Sequence, residues 1–229
     1  MRGSGRGPGG ASPALATVLA VVLIALAAVL LVGAVTFVSR RLGLSEVGAL
    51  LALWACLLGS WINIPVARVR TVTPPPVAEI RVFGVRYVVR PLAEPHETIV
   101  AVNVGGAVLP VMLSVYVLVQ ADAWAPAIAA VAIVSALAFA AARPVPGVGI
   151  VLPTLLTPVA AALCAVILAP SHSAAVAYAA GTLGALIGAD LLHLRHIERL
   201  GAQVASIGGA GTFDGIFLSG IVAVLLASL

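Results

Sequence analysis

The sequence predicts an all-α polytopic membrane protein: seven transmembrane helices, with a small cytoplasmic β-hairpin between the second and third. Three observations predict it. Hydrophobic residues make up 62% of the chain and charged residues 9%, whereas a soluble domain carries about a quarter charged; mean hydropathy is +1.20. Seven apolar runs approach the roughly 20 residues that cross a bilayer as a helix. The charged residues fall mostly between these runs, and the arginines are biased to one side.

The first dozen residues, rich in glycine with Arg2 and Arg6, read as a disordered tail, and residues 13–229 as one transmembrane domain. The run 13–37 resembles a signal peptide but is longer than a signal core, and Arg40 and Arg41 follow it without a clear cleavage site, so it is taken as the first helix. The second helix covers 47–65, where Pro65 ends it. Residues 67–97 form a polar excursion opened by Thr73-Pro74-Pro75-Pro76. Within it, 79–90 alternates and folds as a hairpin about Phe83-Gly84, with Ile80, Val82, Val85, Tyr87 and Val89 on one face and Arg81, Arg86 and Arg90 on the other. A lone two-stranded hairpin is unstable in water, so this one is expected to rest on the membrane surface or the bundle.

The third helix is expected over 98–119, with Asn103, Gly105, Gly106 and Pro110 as a soft polar patch. The fourth covers 124–142, the fifth 149–168 with Pro153 and Pro158 inside it, the sixth 174–194, and the seventh 212–229 or from as early as Val204. Prolines within a span free backbone carbonyls that neighbours or water must satisfy. Seven spans with the N-terminus cytoplasmic put Arg2, Arg6, the arginines from Arg68 to Arg90, Arg143, Arg195 and Arg199 inside and leave Arg40 and Arg41 outside, with the C-terminus.

The net charge of +4 does not indicate nucleic acid, because the arginines are spread over connectors where topology accounts for them. Every one of the 12 basic side chains is arginine. Cys56 and Cys164 both sit inside apolar runs and read as packing residues. No cofactor is implied. The partners expected are the lipid bilayer and a membrane peptide or small solute.

Asp190 and Asp214 are the acids within or at the edge of long apolar runs, and an ionisable group at membrane depth is costly unless it is paired or hydrated. On neighbouring antiparallel helices they form a candidate catalytic pair, since two carboxylates sharing a proton can activate water as base and acid. Against this, Thr212 as an N-cap would make Asp214 a first-turn residue favoured by the helix dipole. The stripe Gly181, Gly184, Gly188 lies opposite Asp190 on a regular helix, an objection that a break at Gly188 removes. Asp190, His193 and His196 at three-residue spacing are compatible with a metal, but the spacing drifts around a helix and no HExxH occurs. A transport reading instead gives Asp190 and Asp214 an ion site at the midplane, with Asn103, His193, Gly209 and Gly211 along the substrate or ion pathway. Val104-Gly105-Gly106-Ala107 and Ile207-Gly208-Gly209-Ala210 hint at an internal repeat.

The block GGAGTFDGIF, within SIGGAGTFDGIFLSGIVAVLLA and preceded by GADLLHL, resembles the C-terminal signature of a prokaryotic multi-span membrane protein family of unknown function. That resemblance covers most of the chain after the tail and implies a multi-span membrane protein without an assigned activity. A more distant likeness is to intramembrane aspartyl proteases of the presenilin and signal-peptide-peptidase type. It implies catalytic roles for Asp190 and Asp214. The chain departs from that pattern: Ala189 precedes Asp190 where tyrosine is expected, two extra residues interrupt the GxGD block, and no Pro-Ala-Leu follows. A membrane-embedded aspartyl hydrolase is the first functional expectation, a proton- or ion-coupled solute transporter the second, and a non-catalytic assembly protein the third.

Overall fold

The computed structural model describes residues 13–72, 78–82, 85–89, 95–145, 149–195, 204–209 and 213–229. The chain is mostly helical with small β-sheets. Its apolar helices α1 (Pro13–Arg41) and α2 (Glu46–Gly59) meet at a sharp corner, bent by 118° between 32–41 and 46–59. Gly43 supplies the positive φ (+71°) that stops α1, and the Ser45 hydroxyl accepts the Gly48 amide at 3.0 Å to cap α2.

Beyond Gly59 the chain becomes extended rather than continuing as helix. Strand β1 (Asn63–Val72) is bulged between Pro65 and Ala67, where proline has no amide to give the ladder. The expected hairpin is present as β2 (Ala78–Val82) and β3 (Val85–Val89), with Val82 opposite Val85 and Ile80 opposite Tyr87; the turn at 83–84 and Arg90 lie outside the described residues. Its register puts Ile80, Val82, Val85, Tyr87 and Val89 at positions of one face, as the alternation predicts.

Strand β4 (Pro95–Asn103) returns antiparallel to β1, a π-helical turn follows over Val104–Val108, and α3 (Leu109–Ala121) begins only there. The expected helix from 98 is therefore half strand: Thr98, Ile99, Val100 and Val102 are β-branched, pack well on a pleated surface and pair with β1. Next come α4 (Trp124–Ala141), a short hairpin of β5 (Arg143–Val145) and β6 (Gly149–Val151), and α5 (Leu156–Leu168). Pro153 thus lies outside a helix and Pro158 in a first turn, where a missing amide breaks no ladder. Helix α6 (Ser173–Ala185) runs into a second π-helical stretch, Leu186–Leu191. Strand β7 (Val204–Ile207) and α7 (Phe213–Ala227) complete the chain, so Val204 opens a strand and not the last helix.

Among the described residues, three helical stretches are long and apolar enough to cross a membrane, Val104–Ala121, Trp124–Ala141 and Pro170–Leu191, or four if the bent α1–α2 pair counts as one span. At 1.5 Å per residue, α5 and α7 fall short of a ~30 Å hydrocarbon core. The central element is α6. Its residues Ala175–Ala180 are all buried, enclosed by α3, α4, α5 and α7. Small side chains permit this, with Ala127, Ala130, Val134 and Ala138 of α4 and Ala161 and Ala165 of α5 lining the contact. Strands β1, β4 and β7 form one sheet in that order, β1 antiparallel and β7 parallel to β4.

A crossing of two glycine pairs as the candidate functional site

The sheet and the bundle meet where β4 and β7 each end in a glycine pair before a helix. Val102 is opposite Ile207, so the two pairs, Gly105-Gly106 and Gly208-Gly209, leave the sheet side by side. They touch: a Cβ on Gly106 would overlap the Gly208 carbonyl oxygen, and Gly208 holds φ at +70°. Gly105 presses likewise on the end of α2 at the Cys56 carbonyl and the Ser60 amide. The four-residue similarity in the sequence therefore marks two segments in direct contact.

Polar side chains hold each break. Asn103, almost wholly buried, accepts the Gly106 amide at 2.7 Å and donates to the Ser60 carbonyl at 2.7 Å and to Asn63 Oδ1 at 3.0 Å. Ser206 on β7 donates to the same Asn63 oxygen at 2.5 Å. Asp190 performs for the second break what Asn103 performs for the first: its Oδ2 accepts the Gly208 amide at 2.7 Å. Asp190 is 4% exposed. A buried carboxylate without a partner is strongly destabilising, and this amide supplies one charge-assisted bond.

The π-helical stretch explains how Asp190 reaches that place. Widening the helix over Leu186–Leu191 shifts the face presented downstream relative to a regular helix, and Asp190 reaches Gly208 while the glycine stripe packs on other helices. Gly181 packs on α7 at Ser219 and Ala223, while Gly184 and Gly188 pack on α4 at Val134, Ser135 and Ala138. His193 is buried on the α4 side, with its ring 4.8 Å from that of Phe139 and Nδ1 3.0 Å from the Gly188 carbonyl oxygen. Asp190 and His193 thus turn to different neighbours. Asn103 and Gly209 lie in the crossing with Asp190; Gly211, Thr212 and His196 are outside the described residues.

Asp214 is the second residue of α7, so it occupies a first turn, where the dipole favours an acid. The alternative that set it about 15 Å along a helix begun near Val204 is corrected by β7. Its side chain is outside the described residues. Leu186 and Ile216 share one apolar cluster with Val100, Ala107 and Ile207, which draws the end of α6 and the start of α7 together at the crossing.

Sequence reasoning missed Asn63, Ser206 and the Ser60 carbonyl. The signal for Asn63 was its place just after an apolar run, hidden by the assumption that the run stayed helical to Pro65. Cys56 is buried and Cys164 half-buried, both free thiols packed among apolar side chains.

No curated protein and no solved structure matches the chain. A family described as a protein of unknown function, DUF1614, matches residues 57–226, which takes in the sheet, both glycine pairs and every helix from α3 onward. The chain belongs to the DUF1614 family.

Proposed function

We propose that this is a membrane protein of seven apolar segments, N-terminus cytoplasmic and C-terminus outside, that couples proton or ion movement to transport of a small solute, with Asp190 as its ionisable centre. The observation that carries the reading is the Asp190 carboxylate, buried and bonded to the backbone of a non-helical crossover where two glycine pairs touch. Transport sites are typically built from interrupted helices whose freed backbone groups, together with an acid, take the coupling ion. Asn103, Asn63 and Ser206 add oxygen atoms beside the crossing. The two segments, each a strand and a glycine pair with a helix beyond, lie side by side at the crossing.

A second reading, the aspartyl hydrolase, draws support from the Leu186–Ile216 packing, which brings the segments bearing Asp190 and Asp214 toward one another. Purified protein in sealed liposomes with a proton-sensitive dye separates the two. Asparagine retains an acceptor for the Gly208 amide but cannot release a proton. Asp190→Asn should therefore cut flux at least about tenfold, a loss of about 1.4 kcal/mol or more, with little change in melting temperature. Unchanged flux in that variant sinks the transport reading. The hydrolase reading instead requires cleavage of a membrane peptide, abolished alike by Asp190→Asn and Asp214→Asn, with no flux.

A further inference from the structure

At the end of the bundle opposite the sheet, the α1–α2 corner, the end of α3 and the start of α6 enclose a cleft of about 310 Å³. Chain direction fixes its place: α2 leaves the cleft and reaches β1, α3 leaves β4 and ends at the cleft, and α6 starts there and ends at Asp190. In a bundle that crosses the bilayer, the cleft at this end meets the headgroups of the face away from the glycine crossing. Arg41, Gln120, His172 and Ser173 line it, over a floor that includes Leu42 and Ala174.

Among the described residues, no acidic side chain lines this cleft. Its neighbour Arg40 is neutralised by Glu46, whereas Arg41 has no carboxylate within salt-bridge distance among the described residues. Its guanidinium lies 5.3 Å from the centre of the Phe37 ring, which holds the charge beside the cleft. Gln120 reaches Tyr116 only at 3.5 Å, and the His172 imidazole makes no hydrogen bond among the described residues. A cationic fork, an imidazole, an amide and a hydroxyl over an apolar floor match an amphiphile with a phosphate head, since guanidinium meets phosphate through paired N–H donors.

We propose that this cleft binds the phosphate of an anionic membrane lipid, with Arg41 as its principal contact, independently of any activity at Asp190. The phosphate chemistry is shared with soluble inorganic phosphate, and the headgroup depth and apolar floor favour the lipid. The test uses delipidated full-length protein in detergent, titrated separately with phosphatidylglycerol, with diacylglycerol of the same chains, and with inorganic phosphate, following melting temperature and retained lipid by native mass spectrometry. Phosphatidylglycerol should raise the melting temperature of wild type and of Arg40→Gln, and Arg41→Gln should need about tenfold more for half the effect. Equal stabilisation by diacylglycerol, or an unchanged titration in Arg41→Gln, overturns the site. An equal shift with inorganic phosphate overturns the lipid assignment and makes the ligand a soluble anion. Should Arg41→Gln not fold, Gln120→Ala and the three wild-type titrations decide the matter: phosphatidylglycerol no better than diacylglycerol rejects the proposal.

Discussion

Asn103 and Asp190 carry the same task on two different segments, and their chemistry separates them. Each accepts a glycine amide at 2.7 Å, Asn103 as the cap of the π-helical turn and Asp190 at the turn that follows β7. Asn103 also spends its amide donors on Ser60 and Asn63 and is electrically neutral, so it is complete as a fastener. Asp190 has no donors when ionised and brings a charge into a buried place, which a fastener does not need. Backbone closeness at the crossing gives a sharp stability prediction. Gly106→Ala places a methyl group on the Gly208 carbonyl oxygen, with backbone on both sides and nothing flexible to yield. It should cost at least about 3 kcal/mol. Gly33→Ala, which meets nothing within 4 Å in α1, should be neutral or slightly stabilising. Thermal melts of the two purified variants check this, and similar melting temperatures would show that the glycine pairs are not in contact.

The elements were legible in the sequence where hydropathy and length suffice, and illegible where pairing decides. Helix α4 was expected over 124–142 and is found at Trp124–Ala141, because an unbroken run of small apolar residues has few alternatives. The strands β2 and β3 pair in the expected register because alternation is a local signal. The start of β1, most of β4 and, in one alternative, β7 fall within expected helices, and the rest of β1 within the expected polar excursion, because a short apolar run looks the same in either form. What selects strand at Thr98–Val102 is pairing on both sides, by β1 about thirty residues before and by β7 about a hundred after. The candidate site shows the same division: Asp190, Asn103 and both glycine pairs stood out as polar or small residues in apolar surroundings, but their contact rests on the parallel register of β4 and β7. The π-helical stretch at Leu186–Leu191 is a feature no periodicity reveals. A π-helical turn is an α-helix with one residue inserted, so deleting Ile187 should restore α geometry and rotate Asp190 by about 100° away from Gly208. The deletion should melt well below Ile187→Ala; if the two melt alike, the stretch does not position Asp190.

At the scale of the whole molecule, one buried helix organises the rest. Helix α6 meets α4 and α5 through alanines and α7 through Gly181 and Gly220, so the bundle closes around a helix with scarcely any bulk, and Tyr178 is its one large buried side chain. Much of the remaining surface is apolar: Val18 through Leu26 on α1, Leu51, Trp54 and Leu58 on α2, and Leu163 and Ile167 on α5 are largely exposed. An aqueous protein does not carry so extended an apolar surface, whereas lipid accepts it. Trp54 within α2 and Trp61 just before β1 are also exposed, the kind of amphipathic aromatic side chain found at headgroup level. The topology argued from arginine makes a direct prediction. Single cysteines at Ser4 and Leu229, in a background lacking Cys56 and Cys164, should react with an impermeant maleimide from opposite sides of sealed cells. Labelling of both from one side would leave an even number of crossings and rule out seven.

The parallel pairing of β4 with β7 also imposes an order of events on biosynthesis. β4 can zip to β1 as soon as residue 103 emerges, but its other edge has no partner until residue 207 has been made. At ribosomal speeds of roughly 5–20 residues per second, about a hundred residues correspond to a wait on the order of 5–20 s, during which one edge of β4 stays unpaired by β7. Such an edge is a template for misassembly. The nascent chain therefore passes through a stage at which α3 to α6 have been made while the glycine crossing does not yet exist, and synthesis of β7 is the step that lets the sheet close.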